Sequence, residues 1–407
     1  MHAQATWTRP VLFAVILAAL GNFVDLYDLV LFSVLRVPSL KGIGVPADQL
    51  VSKGILLLNI QNGGLLVGGI FWGILGDKRG RLFCLAGSIA VYSVANIANG
   101  FVHSLESYAV LRFVAGFGLA GELGAGITLV AEIMPKGSRG YGTMIVAGAG
   151  LLGGIVGSAV GAVFSWRIAY FVGGGMGICL LVLRLGVRES ALFEKTRLST
   201  ISRGNFFSLF SSVKKTLKYF RVVAVAIPIW LPSILLAFAP EILKDLGMAT
   251  APSVARGYTL YFMGMFLGDL GTGLLSQVLK SRKTALGLWL AMDAMSLIAY
   301  FFLAKSSETA FYAVAFVLGF SSGYVVLYVT AAAESYGTNI RATVTTTVPN
   351  FVRGSVLILT FGLTSLRPYL GIGGAAAAVT IATMMVVAVA FWRFEETFHK
   401  DLDYTEE

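Results

Sequence analysis

Apolar runs of about 20 residues recur along the whole chain and are separated by short polar connections. A bilayer has a hydrocarbon core about 30 Å thick, and a helix needs about 20 apolar residues to cross it. A soluble domain does not need such runs from one end to the other. The pattern therefore predicts an all-α membrane protein with twelve transmembrane helices, at 11–35, 52–76, 82–101, 105–132, 140–164, 168–187, 221–243, 254–279, 284–304, 308–333, 343–366 and 372–392.

A polar stretch rich in Lys, Arg and Ser divides these helices into two sets of six. The predicted domains are an N-terminal half over 1–187, a cytoplasmic linker over 188–220, and a C-terminal half with a cytoplasmic tail over 221–407. Within the linker, Phe206, Phe207 and Phe210 favour a short amphipathic segment on the membrane surface. A disordered linker is the alternative.

Composition agrees with a membrane protein. Of the 407 residues, 57% are hydrophobic and only 13% are charged, about half the charged share of a soluble domain. The net charge of +10 would suggest a nucleic-acid partner in a soluble protein. However, 21 of the 31 Lys and Arg lie on one alternating set of connections and on the tails, and 8 lie on the other set. This asymmetry predicts a multi-pass protein of the bacterial inner membrane with both termini in the cytoplasm. We therefore expect the lipid bilayer, and not a nucleic acid, as its partner.

The chain offers no pattern for metal or cofactor chemistry. Cys84 and Cys179 lie far apart in apolar segments, and the three histidines lie near tails or loops. The sequence contains no nucleotide-binding glycine loop of the G-x-x-x-x-G-K-[ST] kind. We therefore expect no metal, no cofactor, no ATP-driven step and no enzyme activity.

A weak internal repeat joins the two halves. Glu132 ends the fourth predicted helix and is followed, after a spacer of six residues, by Arg139. Glu334 ends the tenth helix and is followed, after the same spacer, by Arg341. Many transporters are built from such repeats, with the binding site near the bilayer midplane between them.

The connection between the second and third helices, from Gly73 to Arg81, reads GILGDKRGR. This string resembles the signature loop of the major facilitator superfamily, whose loop latches the two halves in the outward-facing state. The resemblance implies gating roles for Asp77 and Arg81. Shorter strings resemble sugar porters and their relatives: Trp166-Arg167, Arg188-Glu189-Ser190 and Glu395-Glu396-Thr397. By the same resemblance, cytoplasmic ion-pair clusters are expected at Glu132, Arg139, Glu189, Glu334 and Arg341.

Two further stretches resemble the metabolite:proton symporters, which carry citrate, oxoglutarate, shikimate, proline and betaine. The first is GNFVDLYD, from Gly21 to Asp28, and the second surrounds Arg112 and Glu122 in the fourth helix. The sequence departs from that group at Leu26, where Trp is usual, and at Ala120, where Gly is usual. The seventh helix lacks the glutamine-rich string of true sugar porters, which argues against a hexose substrate.

Ionisable residues at membrane depth are costly and mark candidate functional positions. Asp25 and Asp28 are three residues apart and therefore share one helical face. Two carboxylates so close in a low dielectric would hold one proton tightly, which proton coupling requires. The alternative is that each forms an ion pair or faces water. Glu122, in the middle of the fourth helix, is a further candidate proton carrier.

Arg112 and Arg353 are candidate ligands for a substrate carboxylate, because a guanidinium binds a carboxylate with two hydrogen bonds. Arg112 has the alternatives of pairing with Asp25 or Asp28 and of reaching the interface. Asp269 and Asp293 are additional ionisable candidates. Hydrogen bonds to a solute are expected from polar and aromatic side chains along the predicted interior, with structural helix contacts as the alternative: Tyr27, Asn59, Gln61, Tyr261 and Tyr324.

These features together predict a secondary active transporter, not an enzyme and not a channel. The preferred interpretation is proton-coupled symport of a small organic anion or zwitterion by a monomer that alternates access between the two sides. The alternative is a proton-coupled exporter of a drug or of a metabolite such as a siderophore.

Overall fold

Large apolar side chains cover the outer surface of the helices. Val110, Leu274 and Ile358, for example, are each more than 60% exposed. Such exposure suits lipid, because hydrocarbon is as apolar as these side chains. The computed structural model describes residues 8–134, 139–185, 206–336 and 341–398.

The first half of the fold contains six spans. The fourth span consists of two consecutive helices. The bounds are α1 Arg9–Gly42, α2 Leu50–Arg79, α3 Arg81–Asn99, α4 Leu105–Leu119 with Glu122–Ile133, α5 Arg139–Val163 and α6 Trp166–Arg184.

The second half also contains six spans. Its first span is broken twice and its fourth span once. The bounds are α7 Val213–Ala226, Leu231–Ala237 and Ala239–Asp245, α8 Val254–Val278, α9 Arg282–Phe302, α10 Glu308–Ser322 with Val325–Glu334, α11 341–370 and α12 372–392. Gly371, with a φ of +70°, separates the last two spans, a backbone angle that glycine adopts without strain.

Length and hydropathy identify ten stretches that could cross a membrane in the described part of the chain, and Thr347–Trp392 contains both α11 and α12. The span missing from those ten is α8, which has 25 residues and is rich in glycine. Adding α8 and dividing the last stretch at Gly371 makes twelve spans. The predicted class, an all-α membrane protein with two sets of six helices, is confirmed.

The first helix runs to Gly42 instead of residue 35, and α7, predicted as one helix, is broken twice. The boundaries differ from the prediction at three further places. The helix of α7 begins at Val213, inside the predicted linker, after a short 3-10 turn at Phe206–Phe210. The fourth and tenth spans, predicted as continuous, are interrupted at 120–121 and at 323–324. In both spans the segment before the interruption has 15 residues.

Glycine contacts repeat between the halves as well. In each half, two glycines one turn apart bring one helix directly onto the backbone of another, so that no Cβ would fit between them. Small residues allow this close approach of helices in lipid. The pairs are Gly64 and Gly68 of α2 against Phe113 and Phe117 of α4, and Gly264 and Gly268 of α8 against Phe316 and Phe320 of α10.

Each half has its own apolar core. The largest cluster of buried apolar side chains consists almost entirely of residues after 209, whereas three smaller clusters lie within the first half. The halves meet mainly where α2 packs on α11 and where α5 packs on α8. Polar contacts cross both seams: the Thr360 hydroxyl donates to the Asn59 side chain at 2.5 Å, and the hydroxyls of Ser158 and Thr259 lie 2.7 Å apart.

Candidate functional site: buried ion pairs between and within the halves

Asp25 and Asp28 lie near the middle of α1, and neither side chain is exposed. Although they share one helical side, each carboxylate has an arginine of its own. Asp28 pairs with Arg112 of α4 and Asp25 pairs with Arg353 of α11, each at 2.7 Å. The structure therefore shows two separate ion pairs on α1 instead of two carboxylates that share one proton.

The Asp28–Arg112 pair lies within the first half. Gln61 of α2 donates its amide to the same Asp28 oxygen at 3.1 Å. The guanidinium carbon of Arg112 lies 5.2 Å from the ring centre of Phe32 and 5.4 Å from that of Tyr170. This aromatic enclosure favours a cation and excludes water. Of the roles predicted for Arg112, the structure shows pairing with Asp28.

The Asp25–Arg353 pair connects the halves. Arg353 comes from α11 and reaches the carboxylate of α1, and its exposure is only 4%. Trp230, at the first break in α7, lies 5.8 Å from the guanidinium carbon. A buried pair of this kind loses its attraction when the acid is protonated, because the arginine then keeps its charge without a counter-ion. Protonation of Asp25 would therefore free a buried guanidinium between the two halves.

Glu122 follows the break in α4 and forms a third pair. Both of its oxygens accept from Arg184 at the end of α6, at 2.6 and 2.8 Å, and the Ser88 hydroxyl donates to one of them at 2.9 Å. Arg184 also donates to the backbone carbonyl of Leu85 at 2.7 Å. This geometry holds Glu122 as a bidentate structural anion. Sequence reasoning missed Arg184, although an arginine inside a predicted helix end was a signal that could have found it.

The tyrosines predicted to contact a solute are held by neighbouring helices. Tyr27 donates its hydroxyl to the backbone carbonyl of Ala169 at 2.9 Å. Tyr261 and Tyr324 donate to carbonyls of α7 at 3.2 Å each, those of Ile229 and Val225 respectively. Carbonyls near the break in α7 need such donors, because prolines there lack a backbone N–H. These hydroxyls keep only their acceptor lone pairs for a solute.

Asn59 and Gln61 are also engaged. Asn59 accepts from Thr360 across the seam between α2 and α11, and Gln61 donates to Asp28. Gln61 therefore belongs to the Asp28–Arg112 pair, whereas Asn59 belongs to the contact between the halves.

The remaining acids at membrane depth lie in the second half. Asp269 of α8 accepts from the backbone N–H of Val326 at 3.3 Å, so it caps the second segment of α10. Asp293 of α9 accepts from the hydroxyls of Ser321 and Ser322. Over the residues that the structure describes, neither acid has an arginine or lysine within ion-pair distance.

A fourth ion pair, not expected from the sequence, lies at the end of the bundle opposite the start of α1. Arg36 of α1 donates to Glu241 of α7 at 2.6 Å and to the carbonyl of Ala237 at 3.0 Å. Its guanidinium carbon lies 4.2 Å from the ring centre of Phe238. Arg36 is 2% exposed and Glu241 is 23% exposed. This pair joins the first half to the second at that end of the bundle.

The side chains of five predicted gating residues lie outside the described part of the structure. Glu189 does so entirely. For Asp77, Glu132, Arg139 and Arg341, only the backbone position at a helix end is described. Their gating roles stay predictions.

The other two predicted gating residues are described. Arg81 donates to the carbonyl of Gly76 at 2.6 Å, within the loop that carries the motif. Glu334 pairs with Arg282 at the start of α9, at 3.1 Å, and accepts from Thr397 at 2.7 Å. Arg282 is thus a partner of Glu334 that the sequence did not indicate.

Glu396 lies beyond the membrane-spanning part of α12 and holds the start of α9. It accepts from the Ser281 hydroxyl and from the backbone N–H groups of Arg282 and Lys283. Burial by itself raises the pKa of Glu396, but hydrogen bonds from Ser281 and from backbone N–H groups outweigh it and lower the pKa to about 2. This carboxylate is therefore charged, and it holds the residues that follow α12 against the start of α9.

Comparison with known proteins decides the family. Residues 11–360 match the sequence profile of the family described as "Major Facilitator Superfamily". The chain belongs to the major facilitator superfamily. Its members are transporters and not enzymes.

Individual relatives agree with this assignment. The chain is 25% identical, over 91% of its length and 86% of the relative, to a "Probable 4-methylmuconolactone transporter" of Cupriavidus pinatubonensis. It is 29% identical, over 45% of its length and 41% of the relative, to the "Proline/betaine transporter" of Escherichia coli. The crystal structure of a D-xylose-proton symporter matches 97% of this chain and 100% of that chain with a TM-score of 0.72 and 15% identity. That likeness shows the fold.

Proposed function

We propose that this major facilitator protein is a proton-coupled symporter that brings a small organic anion or zwitterion into the bacterial cytoplasm by alternating access. The observation that carries the proposal is the buried Asp25–Arg353 pair between the two halves. The protein is placed in the inner membrane with both termini in the cytoplasm, on the basis of its Lys and Arg distribution. It acts as a monomer.

Proton binding and substrate binding support each other in this arrangement, because the proton binds Asp25 and the substrate binds Arg353. A proton on Asp25 neutralises the carboxylate and leaves the Arg353 guanidinium without a counter-ion in a low dielectric. A substrate carboxylate then restores the balance by taking the place of Asp25 with two hydrogen bonds. Loss of the proton from Asp25 reverses the exchange and releases the substrate. Each proton that enters down the membrane potential contributes about 2.3 kcal/mol per 100 mV.

Asp28 supplies a second acid on the same helix. Because Arg112 and Gln61 bind its carboxylate from α4 and α2, a proton on Asp28 loosens contacts inside the first half. We assign Asp28 the role of linking proton binding to movement of α1 against α4. Glu122 is not assigned a proton-carrying role, because Arg184 and Ser88 satisfy both of its oxygens.

The substrate class follows from the arginine. Arg353 lies beside Trp230 and opposite α1, so a ligand that replaces Asp25 needs a carboxylate of similar size. An aromatic face beside the site also suits a positively charged group on the same ligand. Proline and betaine, named as substrates of one relative, are zwitterions that carry both groups.

The test is uptake of radiolabelled carboxylates and betaines by purified protein in liposomes with an inward proton gradient. We expect accumulation that stops when the gradient is collapsed. Asp28→Asn and Asp25→Asn should retain binding, since Asn mimics the protonated acid, but lose accumulation. Asp48→Asn, which changes an exposed acid far from the pairs, is the matched control.

Arg353 provides a separate test of substrate recognition. Arg353→Lys keeps the positive charge but cannot form bidentate hydrogen bonds to a carboxylate. We therefore expect weaker carboxylate binding without loss of folding. Uptake by the wild-type protein that is indifferent to the proton gradient would overturn the coupling. Efflux of substrate from liposomes that is driven by an inward proton gradient would show export instead.

A further inference from the structure

Asp293, in the middle of α9, differs from the three buried acids of the first half. Asp25, Asp28 and Glu122 each have an arginine within 2.7 Å. Asp293 is not exposed at all and has only hydroxyl partners: Ser321 at 2.9 Å and Ser322 at 3.3 Å, both to the same oxygen, Oδ1. Its other oxygen, Oδ2, is buried without a hydrogen-bond partner. A carboxylate in this position would be charged without compensation.

The hydroxyl hydrogens near Asp293 favour a neutral acid. Ser296 donates to the backbone carbonyl of Asp293 at 2.9 Å, and its oxygen lies 2.8 Å from that of Ser321. Ser321 lies within 3.0 Å of both Asp293 Oδ1 and the carbonyl of Leu318, but it has one hydrogen. If Asp293 is ionised, Ser321 and Ser322 must both donate to Oδ1, so Ser321 cannot donate to Leu318, and the negative charge has no cation beside it among the described residues.

If Asp293 instead carries a proton on Oδ1, that proton is donated to Ser321. Ser321 then donates its own hydrogen to Leu318, while Ser296 continues to donate to the Asp293 carbonyl. One more of these contacts then has a hydrogen than in the ionised form, and no charge is buried, while Oδ2 accepts no hydrogen bond in either form. An unpaired charge in the interior is far more costly than a neutral hydroxyl chain of this kind.

Among the described residues, the groups that face Asp293 do not supply a positive charge. Its titratable neighbours are the hydroxyls of Tyr261 on α8 and Tyr324 on α10, which donate to backbone carbonyls of α7. The other acid on α8, Asp269, is occupied by the backbone N–H of Val326. Between 372 and 392, α12 contains no titratable residue.

The position of the cluster connects it to a moving part. Ser321 and Ser322 form the last turn of the first segment of α10, directly before the break at 323–324. A change in the angle of that break therefore changes the partners of Asp293. In the first half, the corresponding break in α4 is followed by Glu122, which pairs with Arg184. The acid near the break is therefore paired with an arginine in the first half and with hydroxyls in the second half.

We propose that Asp293, with Ser296, Ser321 and Ser322, is a proton-binding site of the second half, separate from Asp25 and Asp28. The acid is protonated at neutral pH in the conformation described. When α10 bends at its break and water reaches the carboxyl, the O–H bond breaks, the proton passes to water and the carboxylate remains. The exchange of this proton during transport rests on the proposed function, whereas the protonated state does not.

The first experiment needs no substrate. Infrared difference spectra of wild-type and Asp293→Asn protein in liposomes report the carbonyl stretch of protonated carboxyl groups. We expect a band at neutral pH that shifts in D₂O and is missing from Asp293→Asn, while Asp48→Asn leaves it unchanged. The absence of such a band would overturn the site. Loss of the band on addition of Na⁺ at constant pH would identify a sodium site and overturn the proton assignment.

The second experiment measures the number of protons that enter per substrate, from the potential at which net uptake reverses. We expect Asp293→Asn to transport with one proton fewer than the wild type. An unchanged number of protons per substrate would show that the proton stays on Asp293 during transport, and this result would overturn the proposed proton exchange. If wild-type uptake proves independent of protons, the proposed function fails, but the infrared result still decides the site.

Discussion

The Glu122–Arg184 pair gives the sharpest test of how buried charges stabilise this fold. Glu122→Gln keeps the shape and one acceptor of the side chain but removes its charge. Arg184 then remains buried with only neutral acceptors, which are the remaining side-chain oxygen and the backbone carbonyls of Leu85 and Leu17. Removing one member of a buried ion pair costs about 3–5 kcal/mol, because the other charge is left without compensation.

For 407 residues, an unfolding entropy of roughly 2.1 cal/mol/K per residue converts that cost into a drop in Tm of roughly 4–6 °C. The assay is thermal unfolding of detergent-purified protein, with Glu106→Gln as a control because Glu106 is an exposed acid on the same span. The double variant Glu122→Gln/Arg184→Gln should lose less than the sum of the single variants, since it leaves no buried charge. The difference measures the coupling.

Gly21 of α1 offers an independent perturbation of the same pair. A Cβ at Gly21 would collide with a Glu122 oxygen and an Arg184 nitrogen, whereas a Cβ at Gly175 of α6 would meet open space. Gly21→Ala should therefore destabilise the protein and Gly175→Ala should not. The reasoning would be refuted if Glu122→Gln matched the wild type in stability and yet abolished proton-driven accumulation. That result would make Glu122 a proton carrier.

Three further predictions follow from other contacts. Glu241→Gln removes the charge that Arg36 holds, so the end of the bundle opposite the start of α1 should open; a cysteine introduced there should react faster with a water-soluble maleimide. Because the folded pKa of Glu396 is about 2 and its ordinary value is 4.5, its contribution to stability is present above about pH 4.5 and is lost as the pH falls toward 2. The amides bound to it should therefore lose protection against hydrogen exchange over that range, relative to the intrinsic rate at each pH, and should already have lost it at neutral pH in Glu396→Gln. Gly319→Ala, which forces a methyl group onto the backbone of α8, should lower Tm, while Gly273→Ala, in open space, should be neutral or stabilising by up to about 1 kcal/mol.

Local sequence signals were sufficient for the architecture. Apolar runs of membrane-spanning length fixed the number and order of helices, because lipid leaves the backbone no alternative to a helix. The same signals did not show the breaks in α4 and α10. Each break depends on contacts from a neighbouring helix, such as the cap that Asp269 places on α10, and such contacts are not local in sequence.

The candidate site was predicted as a set of charges and not as a set of pairs. Asp25, Asp28, Arg112, Glu122 and Arg353 stood out because charged residues are rare at membrane depth. The same cost explains why each needs a partner.

The sequence by itself determined that this chain is a polytopic transporter with charged residues inside its bundle, because hydrophobicity and its interruptions can be read from the chain alone. Only the tertiary structure decided that Asp28 pairs within one half, that Asp25 pairs across the halves, and that Asp293 has no arginine beside it among the described residues. Pairing depends on which helix faces which, over separations of up to several hundred residues. Helix packing sets that arrangement, and local composition does not encode it.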